Sequence, residues 1–197
     1  MEQILCKRGT IYTAEVVKPV LGENMVLVKT EYSCISAGTE MSGVQQSGEN
    51  LMQQAIHHPE LVAMGLQMLK ERGIKDTWDV VQGKYELGNP MGYSAAGVVE
   101  ESSSANFQKG DRVACMGAGY ANHAGYIIIP QNLVVRMPKN VTMKQAATAA
   151  LGCIAMQGIR RAEVQLGDYI VICGAGILGQ LACRLAVVSG ATVIVTD

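Results

Sequence analysis

The sequence has no long apolar run, no excess of charge of either sign and no closely spaced cysteines. Its longest apolar segments, such as Tyr169–Cys173, are far below the ~20 residues that span a bilayer. The chain does not open with a basic segment followed by an apolar one, so we expect no signal peptide and a cytoplasmic protein. A formal net charge of −1 offers no basic surface to a phosphate backbone, which argues against nucleic-acid binding.

Charged residues are scarce, at 17% of the chain, whereas hydrophobic residues make up 49%. This composition excludes a disordered chain, which needs low hydrophobicity and high net charge. A length of 197 residues suffices for one large domain or two small ones.

The six cysteines are dispersed along the chain, at Cys6, Cys34, Cys115, Cys153, Cys173 and Cys183. A structural zinc site needs cysteines in close pairs, and a disulfide framework belongs to secreted chains. We therefore expect most of them to be small buried hydrophobic residues in a reducing cytoplasm.

The first part of the chain is β-rich. Short β-branched or alternating segments, separated by Gly, Pro and Asn, predict a small barrel or sandwich. The predicted strands are Ile11–Val17, Met25–Lys29, Ala95–Glu100, Arg112–Met116, Gly125–Ile129 and Leu133–Met137.

Residues 42–89 interrupt the strands with a helical insert rich in Leu, Met, Gln and Ala. A helix beginning at Pro59 and ending before Gly73 fits the pattern, because proline is harmless at the first helical position. A second, short helix carries Trp78. The insert is either part of the core or a lid that affects specificity.

From Thr142 onward, helices alternate with strands. Thr142 or Asn140 is expected to cap a helix over Met143–Ala150. The remaining predicted elements are a helix over Ile154–Ala162, a strand over Tyr169–Cys173, a helix over Ile177–Ser189 and a strand over Thr192–Thr196. We therefore divide the chain into residues 1–150, a β-rich domain with the insert, and residues 151–197, the start of a second domain.

A glycine-rich turn joins the strand at Tyr169–Cys173 to the helix that follows. Its sequence is G-x-G-x-x-G, with the glycines at Gly174, Gly176 and Gly179. The three glycines allow a tight turn, close approach of the backbone to a pyrophosphate, and close packing of helix on strand. The turn and the first helical residues, Ile177 and Leu178, therefore predict a dinucleotide site, with phosphates at the helix N-terminus.

Asp197 ends the next strand, at the position where an acidic side chain accepts hydrogen bonds from ribose hydroxyls. A carboxylate there repels a 2′-phosphate. The sequence therefore predicts NAD as the cofactor rather than NADP.

These segments together resemble the medium-chain dehydrogenase/reductase superfamily, the relatives of zinc alcohol dehydrogenase. The matching segments are 38–40, 92–100, 110–113, 151–153 and the glycine turn. Ser36–Glu40, followed by a long insert and then 91–94, resembles a narrower group of sugar, cyclitol and chlorophyllide oxidoreductases. The resemblance implies a GroES-like β-barrel domain, the first βαβ unit of a Rossmann domain, a small-molecule substrate such as a sugar or cyclitol, and a homodimer.

The zinc ligands of the family are not preserved. In zinc-dependent relatives a Cys, a His and a second Cys hold the metal, and these positions fall here on Ala37, Tyr93 and Cys153. One ligand cannot hold a catalytic zinc that needs three. Cys34 and Glu40 are the substitutes to consider. We expect no catalytic zinc. We expect Cys153 to be a packed side chain, retained from the ligand set, rather than a metal ligand.

Without zinc, side chains must polarise the substrate oxygen and move a proton. Thr39 matches the proton-relaying hydroxyl of zinc relatives, and Tyr93 places a phenol at a vacated ligand position. The alternatives are a turn-stabilising hydroxyl for Thr39 and a core aromatic for Tyr93. Glu40 is expected to bind backbone or an Arg side chain, and His123 to lie near the cleft, where it could contact substrate.

The resemblance implies an NAD-linked oxidoreductase of the alcohol, polyol or sugar dehydrogenase type. One alternative is a zinc-free enoyl or quinone reductase. The other is a non-catalytic fragment, because a doubly wound nucleotide domain needs about six strands and the pattern after residue 165 provides two. We expect that the 197 residues alone are truncated relative to a working enzyme and lack normal activity.

Overall fold

The structure is a computed structural model that describes residues 1–48 and 88–197, together with residues 67, 69–71 and 73. Over these residues we number ten strands and four helices. The strands are β1 Glu2–Lys7, β2 Thr10–Glu15, β3 Met25–Ser33, β4 Asn89–Pro90, β5 Ser94–Ser102, β6 Arg112–Met116, β7 Tyr126–Pro130, β8 Val134–Arg136, β9 Tyr169–Cys173 and β10 Thr192–Thr196. The helices are α1 Ala37–Gly48, α2 Met143–Ala146, α3 Ala149–Arg161 and α4 Ile177–Val188.

The main sheet is antiparallel and has the order β7-β3-β5-β6-β8. Successive side chains of a strand point to opposite faces, and both faces of this sheet are covered. On one face Val26, Ala95, Val113 and Ile129 belong to a core cluster with no exposed surface. On the other face the neighbouring Ala96 and Ala114 pack against α2.

A smaller antiparallel sheet, β2-β1-β4, is connected to the main sheet. A bridge joins Gln3 to Ala124, just before β7. The backbone N–H of Ile4 donates to the carbonyl of His123 at 2.9 Å. The predicted strands of the β-rich part are therefore confirmed, although the last is shortened to β8 by a 3-10 turn over Gln131–Leu133.

The predicted helix over Met143–Ala150 is wrong in length. Thr142 caps it as expected, since its hydroxyl accepts from the N–H of Gln145 while the Gln145 side chain accepts from the N–H of Thr142. The helix ends at Ala146. A new helix, α3, starts at Ala149 rather than at Ile154, because the backbone at Thr148 (φ −92°, ψ 4°) leaves the helical region.

The glycine turn joins β9 to α4 as predicted, and β10 pairs parallel with β9. Two features of this unit differ from the expectation. The apolar sequence of β9 predicts burial on both faces, yet Tyr169 is 80% and Val171 60% exposed. Exposed and partly buried residues alternate along β9, so only the face of Ile170 and Ile172 is partly covered by the described residues. The sequence places Leu178, Leu181, Leu185 and Val188 on one apolar face of α4, but only the three leucines are partly buried, whereas Val188 is 87% exposed.

Most of the predicted insert lies outside the described residues, including the helix expected from Pro59 and the helix of Trp78. The sequence predicts that the insert begins near residue 42, but α1 already begins at Ala37. None of the helices described is long and apolar enough to cross a membrane.

Candidate functional site

A buried histidine–glutamate pair lies between the two sheets and the first helix. His123 Nε2 is 2.9 Å from Glu40 Oε2, and the two side chains are only 5% and 9% exposed. The other ring nitrogen, His123 Nδ1, is 2.8 Å from the hydroxyl of Ser33 at the end of β3. Since both ring nitrogens have partners, the imidazole is held in one orientation.

Glu40 lies in the first turn of α1 and also binds backbone. Its Oε1 accepts from the N–H of Ser36 at 2.9 Å, an arrangement that satisfies one of the free N–H groups where the helix begins. A carboxylate also interacts favourably with the positive end of the helix dipole. The expectation of a backbone contact is therefore confirmed, but the second partner is His123 rather than an arginine.

Thr39 precedes Glu40 on α1 and is exposed. Its hydroxyl oxygen accepts from the hydroxyl of Ser36 at 3.4 Å, which is a weak contact. The Thr39 proton is not used by this bond and is able to donate to another group.

Tyr93 lies between β4 and β5, directly after Gly92. Gly92 has a φ of +93°, and a Cβ added there would come within 2.8–2.9 Å of the backbone and ring of His123. The Tyr93 carbonyl accepts from the N–H of Gly117 at 2.9 Å. Its hydroxyl oxygen is buried and has no hydrogen-bond partner in the part of the chain that the structure describes, which is costly for a polar group.

The described residues do not fit a catalytic zinc. They contain no cluster of three His, Cys, Asp or Glu side chains that could hold a metal ion. Burial, and then the carboxylate of Glu40, raise the pKa of the Cys34 thiol.

The cysteines are all free, and the expectation that most of them are buried is wrong, since only two of the six are. Cys6 and Cys115 are buried, and burial raises the pKa of the Cys115 thiol to about 12. Cys153 and Cys173 are exposed. The expectation of a packed Cys153 is therefore wrong, because its place on α3 turns the side chain away from Leu151 and Ala155, which are buried.

A second group of candidate residues surrounds the glycine turn. Gly174 has a φ of +101°, and a Cβ added at Gly179 would overlap the carbonyl oxygen of Gly174. No side chain caps the first turn of α4, where Gly176 is the N-cap residue. Ile177 and Leu178 follow in that turn. The N–H groups at this helix end therefore remain available to an anion.

Asp197 lies next to the glycine turn. The N–H of Gly174 donates to the carbonyl of Thr196 at 2.6 Å, and the N–H of Ala175 donates to Asp197 Oδ1 at 3.0 Å. The structure thus brings together the glycines and the carboxylate that the sequence assigns to a dinucleotide. The residues present fit such a cofactor.

No family model matches the chain. Among curated proteins, D-guloside 3-dehydrogenase from Escherichia coli K12 is 33% identical over 115 residues, which cover 57% of this chain and 31% of that protein. A probable D-xylulose reductase A from Aspergillus terreus is 26% identical over 144 residues, which cover 57% of this chain and 41% of the relative. The chain therefore matches less than half the length of these relatives.

Among solved structures, the quinone oxidoreductase from Coxiella burnetii has a TM-score of 0.74 at 22% identity. The match covers 100% of this chain and 56% of that chain. These likenesses support the resemblance to the medium-chain dehydrogenase/reductase superfamily that the sequence motifs indicate. The fold class expected for this superfamily is confirmed, with a GroES-like β-rich part (β1–β8) followed by a Rossmann-type βαβ unit (β9, α4 and β10).

The sequence points to Glu40 and His123 separately but not to their contact. The two residues are 83 positions apart, and Ser33 is 90 positions from His123. No local pattern predicts such a pairing. It arises because β3 and β7 are neighbours in the sheet, which brings the segment before β7 beside the end of β3.

Proposed function

We propose that the protein is an NAD-linked oxidoreductase that interconverts a hydroxyl and a carbonyl group, on a sugar or cyclitol substrate, without a catalytic zinc. The observation that carries the proposal is the glycine turn, whose backbone is shaped by Gly174 and Gly179 and lies within hydrogen-bond distance of Asp197. The names of the curated relatives, a guloside dehydrogenase and a xylulose reductase, support the substrate class.

We assign residues 1–150 to substrate binding and catalysis and residues 151–197 to the nucleotide. The proposed boundary falls within α3, which runs from Ala149 to Arg161. We expect a homodimer in the cytoplasm.

The glycine turn would hold the pyrophosphate. The uncapped N–H groups of the first turn of α4 would bind the phosphate oxygens, and the Asp197 carboxylate would accept from the ribose hydroxyls. Because a negative charge at Asp197 repels a 2′-phosphate, NAD is favoured over NADP. When bound, the nicotinamide supplies or accepts the hydride.

Tyr93 would donate a hydrogen bond to the substrate oxygen, and Thr39 would transfer the proton. The Tyr93 hydroxyl lacks a partner among the described residues, so a substrate oxygen would satisfy it and receive its hydrogen bond as charge develops there. The exposed Thr39 hydroxyl would carry the proton to or from solvent. Neither role needs a metal ion.

The test is NADH-linked turnover of a ketose or secondary alcohol by the complete product of the gene, compared between the native protein and Tyr93→Phe. We expect the variant to lose activity by about 100-fold, the range typical of a general acid or base, with little change in the KM for NADH. Extensive treatment with a metal chelator is expected to leave the native rate unchanged. Tyr120→Phe, at an exposed tyrosine of the loop between β6 and β7, is the control.

A zinc-free quinone or enoyl reductase is the second candidate. The structural similarity to a quinone oxidoreductase favours it. Such a reaction delivers hydride to carbon and depends less on polarising a carbonyl oxygen. Full activity of Tyr93→Phe on a quinone, with no turnover of polyols by either protein, would select this candidate over the first.

A further inference from the structure

The Glu40–His123 pair has no role in the proposed function, yet it is the most deeply buried pair of ionisable side chains that the structure describes. A buried carboxylate costs free energy unless it is fully hydrogen-bonded. Here both oxygens of Glu40 have partners, namely the Ser36 N–H and His123 Nε2. Both carboxylate oxygens of Glu40 are thus hydrogen-bonded, and the role of the pair is inferred from where it lies in the fold.

The pair joins the two segments that carry the candidate catalytic residues. Glu40 follows Thr39 in the first turn of α1, and its own N–H donates to the Ser36 carbonyl at 2.9 Å. On the other side, the N–H of His123 donates to the Met91 carbonyl at 2.7 Å. The His123 ring also fills the space where a Cβ at Gly92, next to Tyr93, would lie.

We propose that Glu40 and His123 are positioning residues of the reaction, which hold the Thr39 hydroxyl and the Tyr93 hydroxyl in fixed relative places. This inference rests on the proposed function, since it assigns those two hydroxyls to the substrate. Thr39 and Tyr93 come from different elements, and the 2.9 Å contact between Glu40 and His123 is the side-chain link between these elements. A misplacement of about 1 Å can reduce a rate about 100-fold.

The substitution Glu40→Gln separates the geometric role from the charge. The carbonyl oxygen of the substituted side chain would still accept from the Ser36 N–H, and its amide would donate to His123 Nε2. The imidazole would then carry its proton on Nδ1 and donate to the Ser33 hydroxyl, which can accept as well as donate. Glu40→Gln therefore keeps every hydrogen bond of the link, whereas Glu40→Ala removes it.

The experiment compares Glu40→Ala, Glu40→Gln, His123→Ala and the double alanine variant in the complete gene product. The matched control is Glu31→Ala, at an exposed glutamate of β3. Two properties are measured on the folded fraction of each protein. They are the kcat and KM for NADH-linked turnover, and the hydrogen exchange rates of the amides at positions 40 and 123.

We expect each single alanine variant to lose about 100-fold in kcat, with the KM for NADH changed by less than about threefold because the glycine turn is untouched. The double variant should lose no more than either single variant, since the two residues act as one unit. Glu40→Gln should retain most of the activity. Exchange at amides 40 and 123 should accelerate in the alanine variants and stay near native in Glu40→Gln and Glu31→Ala.

Each result decides for or against the inference. Native exchange in Glu40→Ala, or accelerated exchange with native kcat, would overturn it. Loss of activity in Glu40→Gln with native exchange would also overturn it, because the charge or the tautomer would then matter rather than position. Absence of turnover in the native protein would refute the proposed function, and with it the catalytic role of the Glu40–His123 contact. The exchange rates would still show whether that contact holds the two segments together.

Discussion

At the scale of single residues, Gly92 and His123 lie in close contact. Gly92 has a φ of +93°, and the space beside its Cα is occupied by the histidine ring. Gly110 has the same φ of +93°, but no atom lies within 4 Å of the position that a Cβ would take there. The two glycines thus share a left-handed φ and differ in their surroundings.

We predict that Gly92→Ala destabilises the protein more than Gly110→Ala. The left-handed backbone costs an alanine about 1 kcal/mol at either site, and the overlap with His123 adds about 1–3 kcal/mol at Gly92. Denaturant unfolding of both variants measures the difference. Equal losses would show that the His123 ring does not occupy the position described.

At the scale of elements, the turn before β6 is held by one carboxylate. The N–H of Gln108 donates to Asp111 Oδ2 at 3.0 Å, and the Arg136 side chain of β8 donates to the same oxygen at 3.0 Å. These two contacts, the Gln108 N–H first, lower the pKa of Asp111. A lowered pKa in the folded state means that the ionised form stabilises the fold.

We predict that Asp111→Asn lowers the Tm at pH 7 and that this difference shrinks in acid. The stabilisation from Asp111 is fully present above its unfolded pKa of about 3.9 and is lost as the pH falls through the lower pKa of the folded state. Thermal unfolding from about pH 7 to about pH 2.5 measures it. A Tm difference that stays constant over this range would exclude the carboxylate as the cause.

The elements differ in how far the sequence predicts them. The sequence patterns predict the strands β3, β5, β6 and β9. A strand buried on one face alternates apolar with polar residues, and a strand buried on both faces is apolar throughout. The break between α2 and α3 is not predicted, since Ala147 and Thr148 are compatible with a helix. In the structure Ala147 packs in the cluster with Ala96 and Ala114, and the Thr148 hydroxyl donates to the Gln145 carbonyl at 2.8 Å. The pattern does not predict α1, because Gly38 and Gly43 weaken its helical propensity.

Some contacts of the candidate site can likewise be predicted from the sequence, and others cannot. The glycine turn and Asp197 are close in the chain's βαβ unit, so their contact follows from sequence spacing. The contact of Glu40 with His123 depends on the pairing of β3 with β7, which no spacing reveals. The burial of the Tyr93 hydroxyl likewise results from tertiary packing.

At the scale of the whole molecule, the β-rich part and the βαβ unit differ in how well their apolar surface is covered. The strands around Val26, Val28 and Ile129 are buried. In the βαβ unit, the exposed large apolar side chains include Tyr169, Val171, Val188 and Ile194. Burying a valine stabilises a fold by about 1.5–3 kcal/mol, so among the described residues the βαβ unit has less packing to hold the glycine turn rigid than the β-rich part has. We therefore expect a protein of these 197 residues to bind a dinucleotide weakly.

We propose above all that the glycine turn and Asp197 bind NAD. Calorimetric titration of the complete gene product with NADH and with NADPH, repeated on Asp197→Asn, tests it most directly. We predict that NADH binds more tightly than NADPH and that Asp197→Asn narrows the gap about tenfold or more, since the loss of one charge next to the 2′-phosphate is worth about 1.4 kcal/mol. Binding of neither nucleotide, or an unchanged preference in Asp197→Asn, would contradict the claim.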